Sequence, residues 1–441
     1  MKVQKVMGST FGENFKLITF GESHGKGVGV VMDNVKPGIK LDMKALQHQM
    51  NRRRPGQSKV VTPRNEADQI QILSGIFEGK TTGAPICMVV FNKDQDSSKY
   101  DNLKKIFRPG HADFCFYKKY GIRDHRGGGR SSGRETLARV AAGAVALQML
   151  KGKGVKISAY CQEIGGIAST KYDPKEIENN IVRCPDKKAA VKMVDRIMAM
   201  AKIGESVGGI IEVRITGLPV GLGDPVFDKL EASLTKAIIS IGATKGVEIG
   251  RGFESARLLG SENNDAQKKK KFNEMKNGGI LGGMSTGADI VLRLAVKPTS
   301  SITKKQFTED IKGNNTTIQV FGRHDPCICP RIVPVVEAMI ALVLYDKLCF
   351  QQRIKYSKTT LAHKKQLVKT IDEEIVSLLA ERELVLGEYA EIENGKAKKP
   401  KKRTATQKKA DKEKALKLIE RIAKRAGLDQ KTAQKVFKQI L

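Results

Sequence analysis

The chain has no tryptophan, and only 5% of its residues are aromatic. Modules that bind nucleic acid by stacking bases are built on such rings, so the scarcity argues against them. No apolar run reaches about 18 residues, so no transmembrane helix is expected. Met1-Lys2-Val3-Gln4-Lys5 is not followed by an apolar stretch and a small-residue cleavage site, so no signal peptide is expected. The seven cysteines are Cys87, Cys115, Cys161, Cys184, Cys327, Cys329 and Cys349. They are odd in number and scattered, and none has metal-ligand spacing. They read as reduced thiols in a cytoplasmic protein with no metal site. Gly25-Lys26-Gly27-Val28-Gly29 has the wrong spacing for a dinucleotide fingerprint. No internal repeat, nucleophile–base triad or carboxylate metal cluster stands out.

Positive charge is abundant. The formal net charge is +32, of which +20 falls in residues 1–350 and +12 in residues 351–441. Nucleic acid or an anionic membrane is the default partner of such a chain. An enzyme whose ligands carry several phosphates and carboxylates needs a cationic cleft and gives the same signal.

The 441 residues suffice for two or three domains. Residues 1–350 read as one continuous α+β unit. β-branched runs predict strands at Lys16–Phe20, Gly29–Met32, Pro85–Phe91, Ile210–Ile215 and Ala288–Val296. Helical patterns cover Asp224–Ile241 and Pro334–Phe350. In the first, Asp224 suits the cap and Pro225 the first helical position. Asp265–Asn277 is lysine-rich and reads as a surface loop.

Composition changes near Gln351. Residues 351–364 read as a linker and 365–441 as a small all-α, three-helix appendage. Leu367, Ile371, Ile375, Leu378, Leu379, Val385, Leu386, Tyr389 and Ile392 recur mostly at helical spacing. A basic loop follows, and Asp411 and Asp429 suit the caps of two further helices. A module of this size needs a partner copy to be stable.

The most informative stretch is Gly127-Gly128-Gly129-Arg130-Ser131-Ser132-Gly133-Arg134-Glu135-Thr136, followed by a small-residue helix. Three glycines let successive N–H groups face one concavity. A helix N-terminus behind them favours an anion, so the stretch reads as a phosphate site. Six histidines exist, and three lie in bent loops. His24 is in Phe20-Gly21-Glu22-Ser23-His24-Gly25, His111 in Arg108-Pro109-Gly110-His111-Ala112-Asp113, and His324 in Gly322-Arg323-His324-Asp325-Pro326-Cys327. Histidine titrates near neutrality and suits proton transfer. His48, His125 and His363 lack such company and read as ordinary residues. Arg52-Arg53-Arg54-Pro55-Gly56, with Lys59 just beyond, is a second cationic cluster. Its forks suit carboxylate or phosphate, or else it is a solvated basic turn. Lys297-Pro298-Thr299-Ser300-Ser301 offers a lysine and three hydroxyls after a strand. Asn277-Gly278-Gly279-Ile280-Leu281-Gly282-Gly283 lets a ligand approach the backbone.

Taken in order, six of these motifs resemble the chorismate synthase family: those around His24, Arg53, His111, Ser132, Lys297 and Asp325. The resemblance spans about residues 8–350. It implies a β-α-β sandwich assembled as a homotetramer. It also implies elimination of phosphate from 5-enolpyruvylshikimate 3-phosphate to give chorismate, with reduced FMN and no net redox change. By resemblance, His24 protonates the departing phosphate. His111 tunes the charge of the reduced flavin. Ser132 and Asp325 form a relay to the flavin nitrogen that accepts the ring proton. Arg53, Lys59, Arg108 and Arg134 hold the substrate anions. The flavin contacts are Arg130, Ser131, Ser132, Gly242, Ala243, Gly282, Lys297, Pro298, Thr299, Ser300, Ser301 and Arg323. Lys59 departs from a common arginine and Gly242 from a common asparagine. No flavin reductase module is seen, so an external flavin reductant is expected. No nucleic acid or membrane partner is expected for residues 1–350.

The segment from Thr370 to Arg382 resembles the first helix of the all-helical chorismate mutases. Lys365, Arg382, Lys412 and Glu413 fall on the pocket positions of that family. Glu393 falls where a lysine is usual, with Lys396 or Lys398 as substitutes if the helix shifts. The chain ends at Leu441, just before the last helix's usual glutamine. A degenerate or weak mutase is expected, the alternative being a basic nucleic-acid-binding or oligomerisation appendage.

Overall fold

The computed structural model describes residues 8–62, 64, 66–93, 100, 103–268, 271–272, 275–322 and 324–354. The chain divides into two units, residues 1–356 and 357–441. The readings of 365–441, with Lys365, Arg382, Lys412 and Glu413, lie outside the described residues.

Two five-stranded antiparallel sheets enclose a helical layer. The first sheet holds β1 (Thr10–Phe11), β2 (Lys16–Gly21), β3 (Gly27–Asp33), β4 (Gln71–Ser74) and β5 (Ile86–Phe91), in the order β1-β2-β3-β5-β4. The second holds β6 (Lys156–Ile164), β7 (Ile167–Ala168), β8 (Gly209–Thr216), β9 (Thr244–Ile249) and β10 (Ile290–Val296), in the order β9-β10-β8-β6-β7. Side chains alternate across each strand. Leu17 and Thr19 of β2 therefore face the core, whereas Ile18 and Phe20 face outward. All five expected strands are present, with ends shifted by a residue or two.

Six helices of eight residues or more are described: α1 (Met43–Arg53), α2 (Asp113–Tyr120), α3 (Thr136–Lys151), α4 (Lys187–Lys202), α5 (Leu230–Ile239) and α6 (Cys329–Ile354). Helix α3 is buried almost all round, because Ala, Val and Leu cover every face of it. It packs on β3 on one side and on α6 on the other, and α6 covers β6 and β8. The layer order is thus sheet, helices, sheet.

Gly143 is the close-approach point between α3 and α6. A Cβ there would lie 2.3 Å from the Ala338 Cβ. We expect Gly143→Ala to cost about 1–3 kcal/mol of stability, as overpacking does in a dense core. An unchanged thermal midpoint would contradict this packing.

Two helix expectations need correction. Asp224 and Pro225 do not start α5, which begins at Leu230 without a side-chain cap. The Gly283 carbonyl accepts the Leu230 N–H at 2.8 Å, and the Asp224 carboxylate lies 3.7 Å from Lys347 Nζ instead. Helix α6 starts at Cys329, ahead of Pro334. Proline lacks the N–H that would bond the carbonyl four residues back. That carbonyl, Pro330 O, accepts from Arg183 Nη1, so the helix runs through the proline without an orphaned group.

Candidate active site

The glycine loop packs against both proposed acid–base histidines. Gly127, Gly128 and Gly129 have φ of +67°, +114° and +53°, a region open mainly to glycine. A Cβ on Gly127 would lie 2.4 Å from His24 Cδ2, and one on Gly128 would lie 3.2 Å from His111 Nε2. Glycine therefore lets the loop sit directly against both rings. Two single 3-10 turns, Gly129–Ser131 and Gly133–Glu135, then lead into α3. The Ser131 hydroxyl donates to the Gly128 carbonyl at 2.7 Å, and Ser132 Oγ accepts the Arg134 N–H at 3.2 Å. Arg130 Nη2 donates to Thr19 Oγ1 at 2.7 Å, which ties the loop to β2.

Beside this loop lies a cavity of about 470 Å³. Among the described residues, eight cationic side chains line it against two carboxylates, Glu135 and Asp325. Such an excess concentrates anionic ligands.

Asp113, at the start of α2, organises one wall. It accepts Arg108 Nε at 2.8 Å and Arg108 Nη2 at 2.9 Å, and Arg123 Nη1 lies 3.0 Å away. His111 Nδ1 is 2.9 Å from Asp113 Oδ1. Hydrogen bonds from Arg108 and His111 outweigh burial and hold the Asp113 carboxyl far below the usual carboxylate range. The His111 imidazole is pushed down, chiefly by burial and further by Arg108, with Asp113 opposing. His111 Nδ1 faces both Asp113 Oδ1 at 2.9 Å and Arg108 Nη2 at 3.1 Å, which leaves Nε2 as the ring nitrogen beside Gly128.

A second wall is a buried charge network. Asp68, with a fully buried side chain, lies 2.9 Å from Arg134 Nη1 and 3.4 Å from Arg53 Nη1. Arg53 also donates to Thr136 Oγ1 at 3.1 Å and to the Gly133 carbonyl. Burial, with Arg331 and Arg134 nearby, lowers the Arg53 guanidinium to about 9 against the pull of Asp68. Arg53 thus touches the cavity while its donors are committed to the protein. Arg134 bonds Asn92, and its Nη2 has no hydrogen-bond partner among the described residues.

The end of β10 supplies a third wall. Lys297 Nζ donates to the Gly110 carbonyl at 2.6 Å and to Ser300 Oγ at 2.7 Å. Thr299 Oγ1 is buried and lacks a partner among the described residues. Gly242 and Ala243, just after α5, close this side. Asp325 sits before α6, accepting the Thr62 N–H at 2.9 Å and Arg331 Nη1 at 2.6 Å.

The cavity gathers His24, His111, Ser132, Asp325, Arg130, Ser131, Gly242, Ala243, Lys297 through Ser301, Arg53, Arg108 and Arg134. Lys59 is exposed in the turn after α1, and Gly282 is exposed in the hairpin at Ile280–Ser285; neither lines the cavity. Arg323 lies outside the described residues. The structure adds Ser23, Arg64, Tyr100, Arg139 and Arg331 to the lining. Arg331 carried a sequence signal, as a charge at the head of an apolar helix. Arg139 and Tyr100 carried none.

A family model for chorismate synthase matches residues 15–349. The chain belongs to the chorismate synthase family. A chorismate synthase of Roseiflexus castenholzii is 51% identical over 350 residues, covering 78% of this chain and 98% of that protein. One from Methanococcoides burtonii is 54% identical over 348 residues, covering 77% and 95%. A solved chorismate synthase structure superposes with a TM-score of 0.61 at 29% identity, covering 77% of this chain and 92% of that one. The function is that of a chorismate synthase, a lyase acting on a phosphate ester. The family match ends at residue 349, ahead of the 365–441 segment.

Proposed function

We propose that the cavity binds reduced FMN together with 5-enolpyruvylshikimate 3-phosphate, and that its side chains carry the proton traffic of phosphate elimination. The convergence of eight cations on one cavity, with His24 and His111 both against the glycine loop, carries this reading. A substrate with two carboxylates and a phosphate, plus a flavin phosphate, needs such a surface.

The residues fit a flavin phosphate and ring. The cavity falls in the usual range for small-ligand sites. Lys297 with Ser300, and the unpartnered Thr299 hydroxyl, offer anion-binding groups, while Gly128 keeps space at His111 Nε2. Reduced flavin supplies transient electron donation when bound, with no net redox change. Arg130, Ser131, Ser132, Gly242, Ala243 and Lys297 to Ser301 would hold it, with Arg323 and Gly282 as further candidates.

His24 lies in the turn between β2 and β3 and is only 7% exposed. It holds a proton for the departing phosphate oxygen, in a site that water barely reaches. Arg108 and Arg134, each fixed by a buried carboxylate, orient the substrate anions without reorganising. Arg53 acts mainly by fixing Asp68 and the Gly133 carbonyl. The Arg331 ion pair fixes Asp325 for its relay role with Ser132.

The outer face of the first sheet presents Ile18, Phe20 and Phe91, which are 46%, 39% and 46% exposed. An apolar face of this kind supports a homotetramer. For residues 365–441 we propose a helical module resembling the all-helical mutases. An external reductant would supply the flavin electrons.

The test is an anaerobic assay with purified protein. Chorismate should form from 5-enolpyruvylshikimate 3-phosphate with dithionite-reduced FMN and not with oxidised FMN. Absence of product with folded protein and saturating ligands would overturn the reading.

A further inference from the structure

Three bent-loop histidines stand on the cavity wall, and the reading above uses two of them. His324 has no role in it. Its loop runs from the hairpin at residues 306–318 into α6. Ile318 and Val320 anchor that loop in a small separate core with Leu103, packed by Tyr100 and Ile106. The ring rests on Gly322, where a Cβ would lie 2.8 Å from His324 Cε1. Tyr100 stands edge-on to it at 6.4 Å between ring centroids, and edge-on to His24 at 5.1 Å. Packing therefore fixes the imidazole, yet its Nε2 is buried with no hydrogen-bond partner among the described residues. Buried polar atoms are nearly always paired, so an unpaired one on a cavity-lining residue marks a position that a ligand group can complete.

Among the described residues, one acidic group faces His324, and the others are cationic or neutral. Arg108 and His111 face it from the loop before α2. Asp325 faces it from its own loop and is engaged by Arg331 of α6 and the Thr62 N–H. Tyr100 closes the remaining side.

We propose that His324 contacts the bound substrate: an anionic group of the ligand completes the bond at Nε2, and the imidazole takes up a proton from solvent as that group arrives. The proposal rests on the polyanionic substrate of the preceding section. Burial first, and Arg108 second, lower the His324 imidazole to about 4, so the free protein holds the ring neutral at neutral pH. An opposite charge within hydrogen-bond reach raises such a group by about 1–3 units. The protonated form then gains weight in the complex. The added affinity is present below the bound-state value and is lost as pH rises through it.

The experiment is calorimetric binding of 5-enolpyruvylshikimate 3-phosphate to the full-length chain loaded with oxidised FMN. It is run near pH 6 and near pH 8, in two buffers of different ionisation heat, for wild type, His324→Gln and His111→Gln. The substrate phosphate itself titrates near pH 6, so the readout is the difference between proteins. Near pH 6, His324→Gln should take up fewer protons than wild type by a sizeable fraction of one, and bind about tenfold more weakly. Near pH 8 the proton difference should vanish. His111→Gln should retain the share that His324→Gln loses. Wild-type proton uptake in His324→Gln near pH 6 would overturn the proposal. Failure of the wild type to bind would overturn the substrate reading and this proposal with it. If His324→Gln does not fold, ring resonances of carbon-13-labelled histidine in the wild type decide. The resonance titrating near pH 4 should move up by about 1–3 units with substrate, and an unmoved midpoint would overturn the proposal.

Discussion

His111→Ala should lower turnover at least about a hundredfold while the protein still folds, the usual contribution of a positioned acid–base group. The geometry argues for both halves of that result. The ring is held through Nδ1, which faces Asp113 and Arg108 Nη2, and Asp113 keeps Arg108 and Arg123 without it. The thermal midpoint should therefore change little. Nε2, in contrast, lies beside Gly128 on the cavity side. His111→Asn sharpens the test, because its amide can still donate to Asp113 but places nothing at Nε2. Both variants should lose turnover alike. Wild-type turnover in either one would show that His111 has no part in the chemistry.

The largest stability effect is expected at Asp68. Its carboxylate is the shared counter-charge of Arg53 and Arg134, and both guanidiniums are buried. Asp68→Asn removes the charge with little change in volume. Asparagine also tolerates the φ of +45° at this position. Breaking a buried ion pair from one side typically costs about 3–5 kcal/mol, since the orphaned charge stays in the interior. Arg53 already resists its charge, lowered to about 9 with Asp68 in place. A marked drop in the denaturant midpoint should follow. Inorganic phosphate entering the cavity should stabilise the variant more than the wild type, by replacing the lost negative charge. An unchanged midpoint would mean that Asp68 is not the keystone of this wall.

The parts of the fold legible in sequence are those set by short-range pattern. Alternating β-branched runs located β2, β3, β5, β8 and β10. The small-residue run after Thr136 located α3, and Gly143 within it explains why so small a side chain is needed there. Misreadings occurred where tertiary contacts outvoted local signals. Asp224-Pro225 has the chemistry of a helix start, but the Gly283 carbonyl holds Leu230 as the first residue of α5. Pro334 looked like a helix start, and Arg183 from a distant loop let α6 begin earlier.

The site was legible as a set of motifs and not as an arrangement. Gly127 against His24, and Gly128 against His111, are contacts between segments about a hundred and about twenty residues apart, respectively, and no local spacing encodes them. Arg53 illustrates the difference best. Sequence makes it a free cationic fork, whereas folding spends its donors on Asp68, Thr136 and Gly133. Arg139 and Tyr100 were invisible because an arginine on a helix and a lone tyrosine carry no signal until the fold brings them to the cavity.

In the function proposed above, this chain eliminates phosphate with a reduced flavin that is not consumed. The most direct measurement follows phosphate, chorismate and reducing equivalents together, under strict anaerobiosis, with one charge of dithionite-reduced FMN and excess substrate. Phosphate and chorismate should appear in equal amounts, over many turnovers, with the flavin still reduced at the end. Product formed with oxidised flavin, or one reducing equivalent lost for each chorismate, would contradict it.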